Sequence, residues 1–256
     1  MAEAPLAGNE PKVTADPAVA ELIISAPRAA ARARWAEIVF LVALCAYSVL
    51  AVLAYRNAYF GWDLSLARFI QSISVPGFHT AMVGVSIFGN GVVPWVLVVG
   101  TGLVLIRAGL RLEGLVCIAG SALGWLVNLS WKLLIGRPRP SDSLVDVAGV
   151  FHFKSFPSGH VVFFAEFFGF MLFLAQVLLQ RGRLRDVLRI LLSLLILSVG
   201  ISRVYLGAHW PSDVVGAYLA GGLWLMIMIG VYRRMKDKQE SNNRLRQSER
   251  LAETDE

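Results

Sequence analysis

Charge and sulfur are what this chain of 256 residues has little of: only 16% of its residues are charged, and it holds two cysteines. Soluble domains carry about 25% charged residues, so the shortage excludes a chain that is water-soluble throughout. Cys45 and Cys117 both sit in apolar runs, which excludes a disulfide framework or a thiolate zinc site and leaves packing as their role. No carboxylate cluster of the magnesium-holding kind is visible, so neither a metal nor another cofactor is expected. The first 34 residues lack the apolar core of a secretory signal peptide, and no internal repeat is present. What the chain does have is apolarity, 56% hydrophobic residues with a mean hydropathy of +0.61.

Apolar stretches at about 35–55, 91–108, 113–135, 158–179, 187–206 and 212–232 read as six membrane spans of roughly 20 residues. The mixed segment 57–88 suits short helices at the interface. The expected fold is therefore all-α, a polytopic six-helix bundle over 35–232. It lies between a disordered cytoplasmic tail, 1–34, and a charged cytoplasmic tail, 233–256, read as a solvated helix. The formal charge of +6 reads as a topology signal, with no nucleic-acid partner. With both termini inside, 17 of the 24 Lys and Arg residues fall on the cytoplasmic side. Of the seven left, Lys132, Arg137, Arg139 and Arg203 gather at helix ends on the outer face. Snorkelling side chains account for one or two such cations; four on one face suggest an anion site.

Three motifs stand on that face: KLLIGRPRP from Lys132 to Pro140, PSGH from Pro157 to His160, and SRVYLGAHWPSD from Ser202 to Asp213. In the forms KxxxxxxRP, PSGH and SRxxxxxHxxxD they resemble the type 2 phosphatidic acid phosphatase superfamily, which includes membrane lipid phosphatases and the soluble vanadium haloperoxidases. The residues agree with the resemblance. Arg139 and Arg203 can each hold a phosphate bidentately, and Lys132 supplies a point charge. Ser158 and Gly159 open a span, where free backbone amides favour an anion. His209 lies four residues before Asp213, a spacing that sets a carboxylate against one imidazole nitrogen and leaves the other as a nucleophile.

The resemblance implies that His209 attacks phosphorus, that Asp213 orients it, and that His160 protonates the leaving oxygen before water hydrolyses the phosphohistidine. One neutral and one protonated imidazole imply a bell-shaped pH dependence. Arg137 is read evenly as a phosphate contact or a helix cap. His79 and His152 are read as structural, and Asn90 as a break before the second span. Glu166 is a buried carboxylate whose plain reading is a hydrogen bond to Asn128, Ser130 or another polar residue of the third span, with function as the alternative.

The expected activity is thus metal-independent hydrolysis of a lipid phosphate or diphosphate. Phosphatidic acid, phosphatidylglycerophosphate and undecaprenyl diphosphate are the candidates, with a lipid A phosphate as a further one. The partners are the lipid substrate, entering sideways from the bilayer, and the bilayer itself; the active site faces the extracytoplasmic side, of the inner membrane in a bacterium. A phosphotransferase with the same intermediate, or a transport or lipid-binding protein without catalysis, are the alternatives. Intact His160, His209 and Asp213 argue against the last.

Overall fold

The computed structural model describes the backbone of residues 17–254, and side chains for residue 31 and 33–251. The described residues are helical with no strand: α1 (Pro17–Arg56), α2 (Gly61–Gln71), α3 (Phe78–Ile87), α4 (Val93–Arg107), α5 (Arg111–Ile135), α6 (Gly159–Phe163), a π-helical turn (Phe164–Phe168), α7 (Gly169–Leu178), α8 (Arg183–Tyr205) and α9 (Pro211–Thr254). The chain divides into two units, Met1–Val42 and Ala43–Glu256. In the first, α1 reaches back to Pro17, into the stretch read as a tail, where alanines favour helix; residues 1–16 of that tail lie outside the described residues. Residues 33–39 of this unit are exposed. At the other end, α9 carries the charged segment as helix through Thr254.

Five helical stretches among the described residues are long and apolar enough to cross a membrane: 33–56, 111–135, 159–178, 183–205 and 211–251. The sixth segment read from the sequence is α4, with 15 residues. At 1.5 Å per residue it spans about 22 Å, short of a hydrocarbon core of about 30 Å. The short interfacial helices read over 57–88 are α2 and α3. Large apolar side chains such as Leu133, Leu134, Val104 and Leu197 are more than 60% exposed, as on helices that face lipid. The protein is an integral membrane protein.

The span formed by α6, the π turn and α7 is the central one, with 61% of its apolar window buried against 28–39% for α5, α8 and α9. It packs on α8 and α9, while α5 packs on α4 and α9 and α3 packs on α8. Small residues let α4 and α5 approach: a Cβ on Gly114 would fall 2.5 Å from the Gly102 carbonyl. At the end of α5 away from the motifs, Glu113 Oε1 accepts hydrogen bonds from Tyr232 Oη and Lys236 Nζ, both at 2.9 Å. This ties α5 to α9. At its other end α5 stops at Gly136, whose φ of 64° and N–H to the Lys132 carbonyl make a left-handed cap. The chain then crosses in the loop 136–158 to α6, which brings the three motifs to one end of the second unit.

Candidate active site

A cavity of about 620 Å³ is lined by Lys132 from α5, Arg139 from the following loop, Gly159 and His160 from α6, Arg203 from α8, and His209 from the α8–α9 turn. Six of the eight residues singled out as a site thus line one space. Ser158 and Asp213 do not; both are fully buried behind it.

The local sequence explains how His209 is aimed. Gly207 takes φ 64° to turn the chain out of α8, and Pro211 stands in the first turn of α9, where its missing N–H costs nothing. Asp213, two residues further, reaches back to accept the Trp210 N–H at 3.0 Å, as an N3 carboxylate does. The same Oδ2 accepts from Ser155 Oγ at 2.5 Å and lies 3.6 Å from His209 Nδ1. Ser155 Oγ is itself 3.4 Å from that nitrogen. The opposite ring nitrogen, Nε2, accepts from Arg139 Nη1 at 3.2 Å inside the cavity. The imidazole therefore carries its proton towards Asp213 and Ser155 and presents a lone pair to the cavity. Burial, then the positive charges of Arg139, Lys132 and Arg203, hold its pKa well below the usual imidazole range, which keeps it neutral.

Behind Asp213 stands an ion-pair network that sequence reading missed. Arg137, read evenly as a phosphate contact or a cap, is neither in the cavity nor a cap. Its Nη1 donates to Asp213 Oδ1 at 2.6 Å and to Ser212 Oγ at 2.7 Å, and its Nη2 to Asp63 Oδ2 at 3.0 Å. Asp63, in the first turn of α2, also accepts from the Ser212 backbone and hydroxyl and from the Phe60 N–H. The only signal for Asp63 is its place as a lone acid at a helix start, and nothing but nearness to PSGH marks Ser155.

The cations face the loop. Arg139 Nε donates to the Phe153 carbonyl and Nη2 to the His152 carbonyl, both at 3.0 Å, and Nη1 also donates to the Ala208 carbonyl at 2.7 Å. Lys132 Nζ donates to the Lys154 carbonyl at 2.8 Å. The Phe151 ring lies 5.5 Å from the Arg139 guanidinium and 5.2 Å from that of Arg203. Arg203 also donates to Ser86 Oγ of α3, and its Nε has no partner. Burial lowers the pKa of Arg139, and the charge of Asp213 opposes the shift. His152, read as structural, lines the cavity, whereas His79 packs on Tyr205.

His160 Nε2 donates to Asn90 Oδ1 at 2.7 Å. Asn90, read only as a break, stands in the α3–α4 turn and lines the cavity. Its neighbour Gly89 makes this possible, because a Cβ there would overlap the His160 ring. The hydrogen bond expected for Glu166 is not made: Ser130 Oγ donates to the Leu126 carbonyl instead. Glu166 Oε2 and Asn128 Oδ1 have no partner. Among the described residues no three His, Cys, Asp or Glu side chains are grouped as metal ligands.

Comparison with known proteins gives one family. Residues 113–237, which contain all three motifs, match the sequence model of the PAP2 superfamily. Phosphatidylglycerophosphatase B of Bacillus subtilis is 28% identical over 195 residues, covering 74% of this chain and 93% of that protein. A lipid A 1-phosphatase of Rhizobium etli is 33% identical over 118 residues, 43% of this chain and 46% of that protein. The crystal structure of the transmembrane PAP2 type phosphatidylglycerolphosphate phosphatase from Bacillus subtilis superposes with a TM-score of 0.64 at 25% identity, covering 76% of this chain and 96% of that one. That of Aquifex aeolicus LpxE, at 24% identity and a TM-score of 0.51 over 67% of this chain and 96% of that one, shares the fold.

Proposed function

Because the chain belongs to the PAP2 superfamily, we propose that it is a lipid phosphate phosphatase that works through a phosphohistidine on His209. The observation that carries this reading is the two-sided geometry of His209: Nδ1 towards Asp213 at 3.6 Å, and Nε2 in the cavity 3.2 Å from Arg139. In the proposed reaction the substrate phosphate exchanges for the loop carbonyls on Arg139 and Lys132, with Arg203 on its far side. The Nε2 lone pair attacks phosphorus, a P–N bond forms, and the P–O bond to the lipid breaks. With the phosphate bound, His160 enters the step as the imidazolium; the leaving oxygen takes its Nε2 proton, which Asn90 Oδ1 holds in the free protein, and the ring is left neutral. Water then cleaves the P–N bond, with His160 as base, and restores both histidines. Asp213 stabilises the imidazolium-like ring as charge develops, and the Gly159 backbone leaves room for the phosphate.

None of these steps calls for a metal. Ser158, at the start of α6, shapes the helix end beside the phosphate. The similarity over 93% of phosphatidylglycerophosphatase B supports phosphatidylglycerophosphate as the substrate we propose first, before phosphatidic acid and undecaprenyl diphosphate. With α4 taken as a sixth crossing, both termini are cytoplasmic and the site opens on the extracytoplasmic side, in a bacterium that of the inner membrane.

The test is phosphate release by the detergent-purified protein in EDTA from a panel of lipid phosphates and diphosphates, beside His209→Ala. Release that survives EDTA and vanishes in the variant is the expected result. Near-normal release by the variant would refute the mechanism, and no release until an alcohol acceptor is added would make the protein a phosphotransferase.

A further inference from the structure

The cavity does not end at the phosphate-binding residues. It continues along α5 past Asn128 to Ser121, four and eleven residues from Lys132, or about 6 and 16 Å at 1.5 Å per residue. On the facing span it continues to Glu166, six residues or about 9 Å beyond His160. Its walls there are apolar, with Trp95, Trp125 and Phe163. Yet Ser121, Asn128 and Glu166 are each more than 90% buried, and Ser121 Oγ, Asn128 Oδ1 and Glu166 Oε2 all lack a hydrogen-bond partner. Three orphan polar atoms around one space are costly for a protein to keep unless something else completes them.

Two features of the backbone single out the carboxyl. Glu166 is the middle residue of the π turn Phe164–Phe168, and such insertions recur at functional sites. Across from it, Gly124 has no side chain, and a Cβ there would overlap Glu166 Oε2. The sequence thus makes room for this group twice and gives it no protein partner.

From this geometry we infer that Glu166, Asn128 and Ser121 form a hydrogen-bonding subsite for free hydroxyls on the leaving group of the substrate. The inference rests on the lipid phosphatase reading and narrows its substrate class. A carboxyl oxygen and an amide oxygen accept hydrogen bonds, the carboxyl in either protonation state, and a serine hydroxyl can accept as well. The matching ligand atoms are donors. An acyl or prenyl chain has none, and the ester carbonyls of phosphatidic acid only accept. The glycerol of a phosphatidylglycerophosphate presents one free hydroxyl, three bonds from the phosphate ester oxygen and so nearest the His160 end of this subsite, and the sugar of a lipid A 1-phosphate presents a hydroxyl further along the cavity. A site built to pair a substrate hydroxyl discriminates strongly against the analogue lacking it, because its own polar groups are then left unpaired.

The experiment compares kcat/KM of the purified full chain for phosphatidylglycerophosphate and for its analogue lacking the free glycerol hydroxyl, with lipid A 1-phosphate as the sugar arm and phosphatidic acid as reference. The native protein should favour at least one hydroxylated substrate over its comparison by about tenfold or more, and the preferred arm identifies glycerol or sugar. Glu166→Leu should bring that preference to within about threefold of unity, and Glu166→Gln, whose amide oxygen still accepts, should keep part of it. Equal rates in the native protein, or a preference that persists in Glu166→Leu, would overturn the subsite. The native arm needs no variant, so misfolding of Glu166→Leu cannot shelter it. Release from phosphatidic acid without any hydroxyl preference defeats the subsite alone; no release from any lipid phosphate defeats the phosphatase reading with it.

Discussion

The two sides of His209 are built on opposite plans. Behind the ring, Asp213 accepts from Arg137, Ser155 and Trp210, and Arg137 in turn bridges to Asp63 on α2. In front of it, cationic groups hold loop carbonyls, Arg203 Nε is unpaired, and the deeper cavity carries three orphan polar atoms. Both regions are polar and largely buried, so burial alone does not separate them; the pairing of the charged groups does, since behind the ring these are all paired and the unpaired atoms, Ser158 Oγ and Trp210 Nε1, are neutral. A fully paired network fixes geometry, whereas unpaired groups around a cavity are held in reserve for a ligand.

The sharpest way to break the contrast is to open the paired side. Arg137→Ala leaves Asp63 and Asp213 buried without their cation, so a loss of about 3–5 kcal/mol of stability is expected. A thermal melt in detergent should show a strong drop, with phosphate release lost as well; an unchanged melting temperature would show that the network is not what holds this end together. On the open side, Arg139→Lys keeps the charge but removes the fork, and kcat/KM should fall by about 100-fold while the fold is retained. Wild-type kcat/KM in that variant would exclude a bidentate role.

Gly89→Ala tests the boundary between the two sides, since the added methyl displaces the His160 ring. A decrease in kcat of about tenfold with KM little changed is expected if His160 acts on the leaving group in the transition state. A rise in KM alone would make His160 a binding residue. The smallest effect is a matter of protonation. With its pKa pushed well below the ordinary 6.5 by burial and neighbouring cations, His209 in the substrate-free protein should stay neutral as pH falls through 6.5. Nitrogen-15 NMR of the ring, assigned with His209→Gln, should show an Nδ1–H tautomer throughout, whereas half-protonation at pH 6.5 would place the ring in a solvated setting.

How far the sequence carries towards this picture follows from the kind of interaction involved. The spans are legible because hydropathy is a local property, and of the six apolar segments α4 alone forms a helix shorter than a full span. Lys132, Arg139, His160, Arg203 and His209 converge as their motifs imply. Asp63, Ser155 and Asn90 were not legible, because each meets its partner across 54 to 149 positions of sequence, and a lone Asp, Ser or Asn looks like any helix start or turn. Glu166 was visible as a buried acid, but the lack of a partner belongs to tertiary structure. The π turn that carries it has no sequence pattern of its own.

The claim that His209 Nε2 attacks phosphorus is tested most directly by trapping the intermediate. The purified protein would be mixed with lipid substrate labelled with phosphorus-32, quenched in alkali within milliseconds, and digested for mass spectrometry. A base-stable, acid-labile phosphoryl group on the peptide carrying His209, absent from His209→Gln, is the expected result. Label on Ser155 or another residue, or full turnover with the label absent at every quench time, would contradict it.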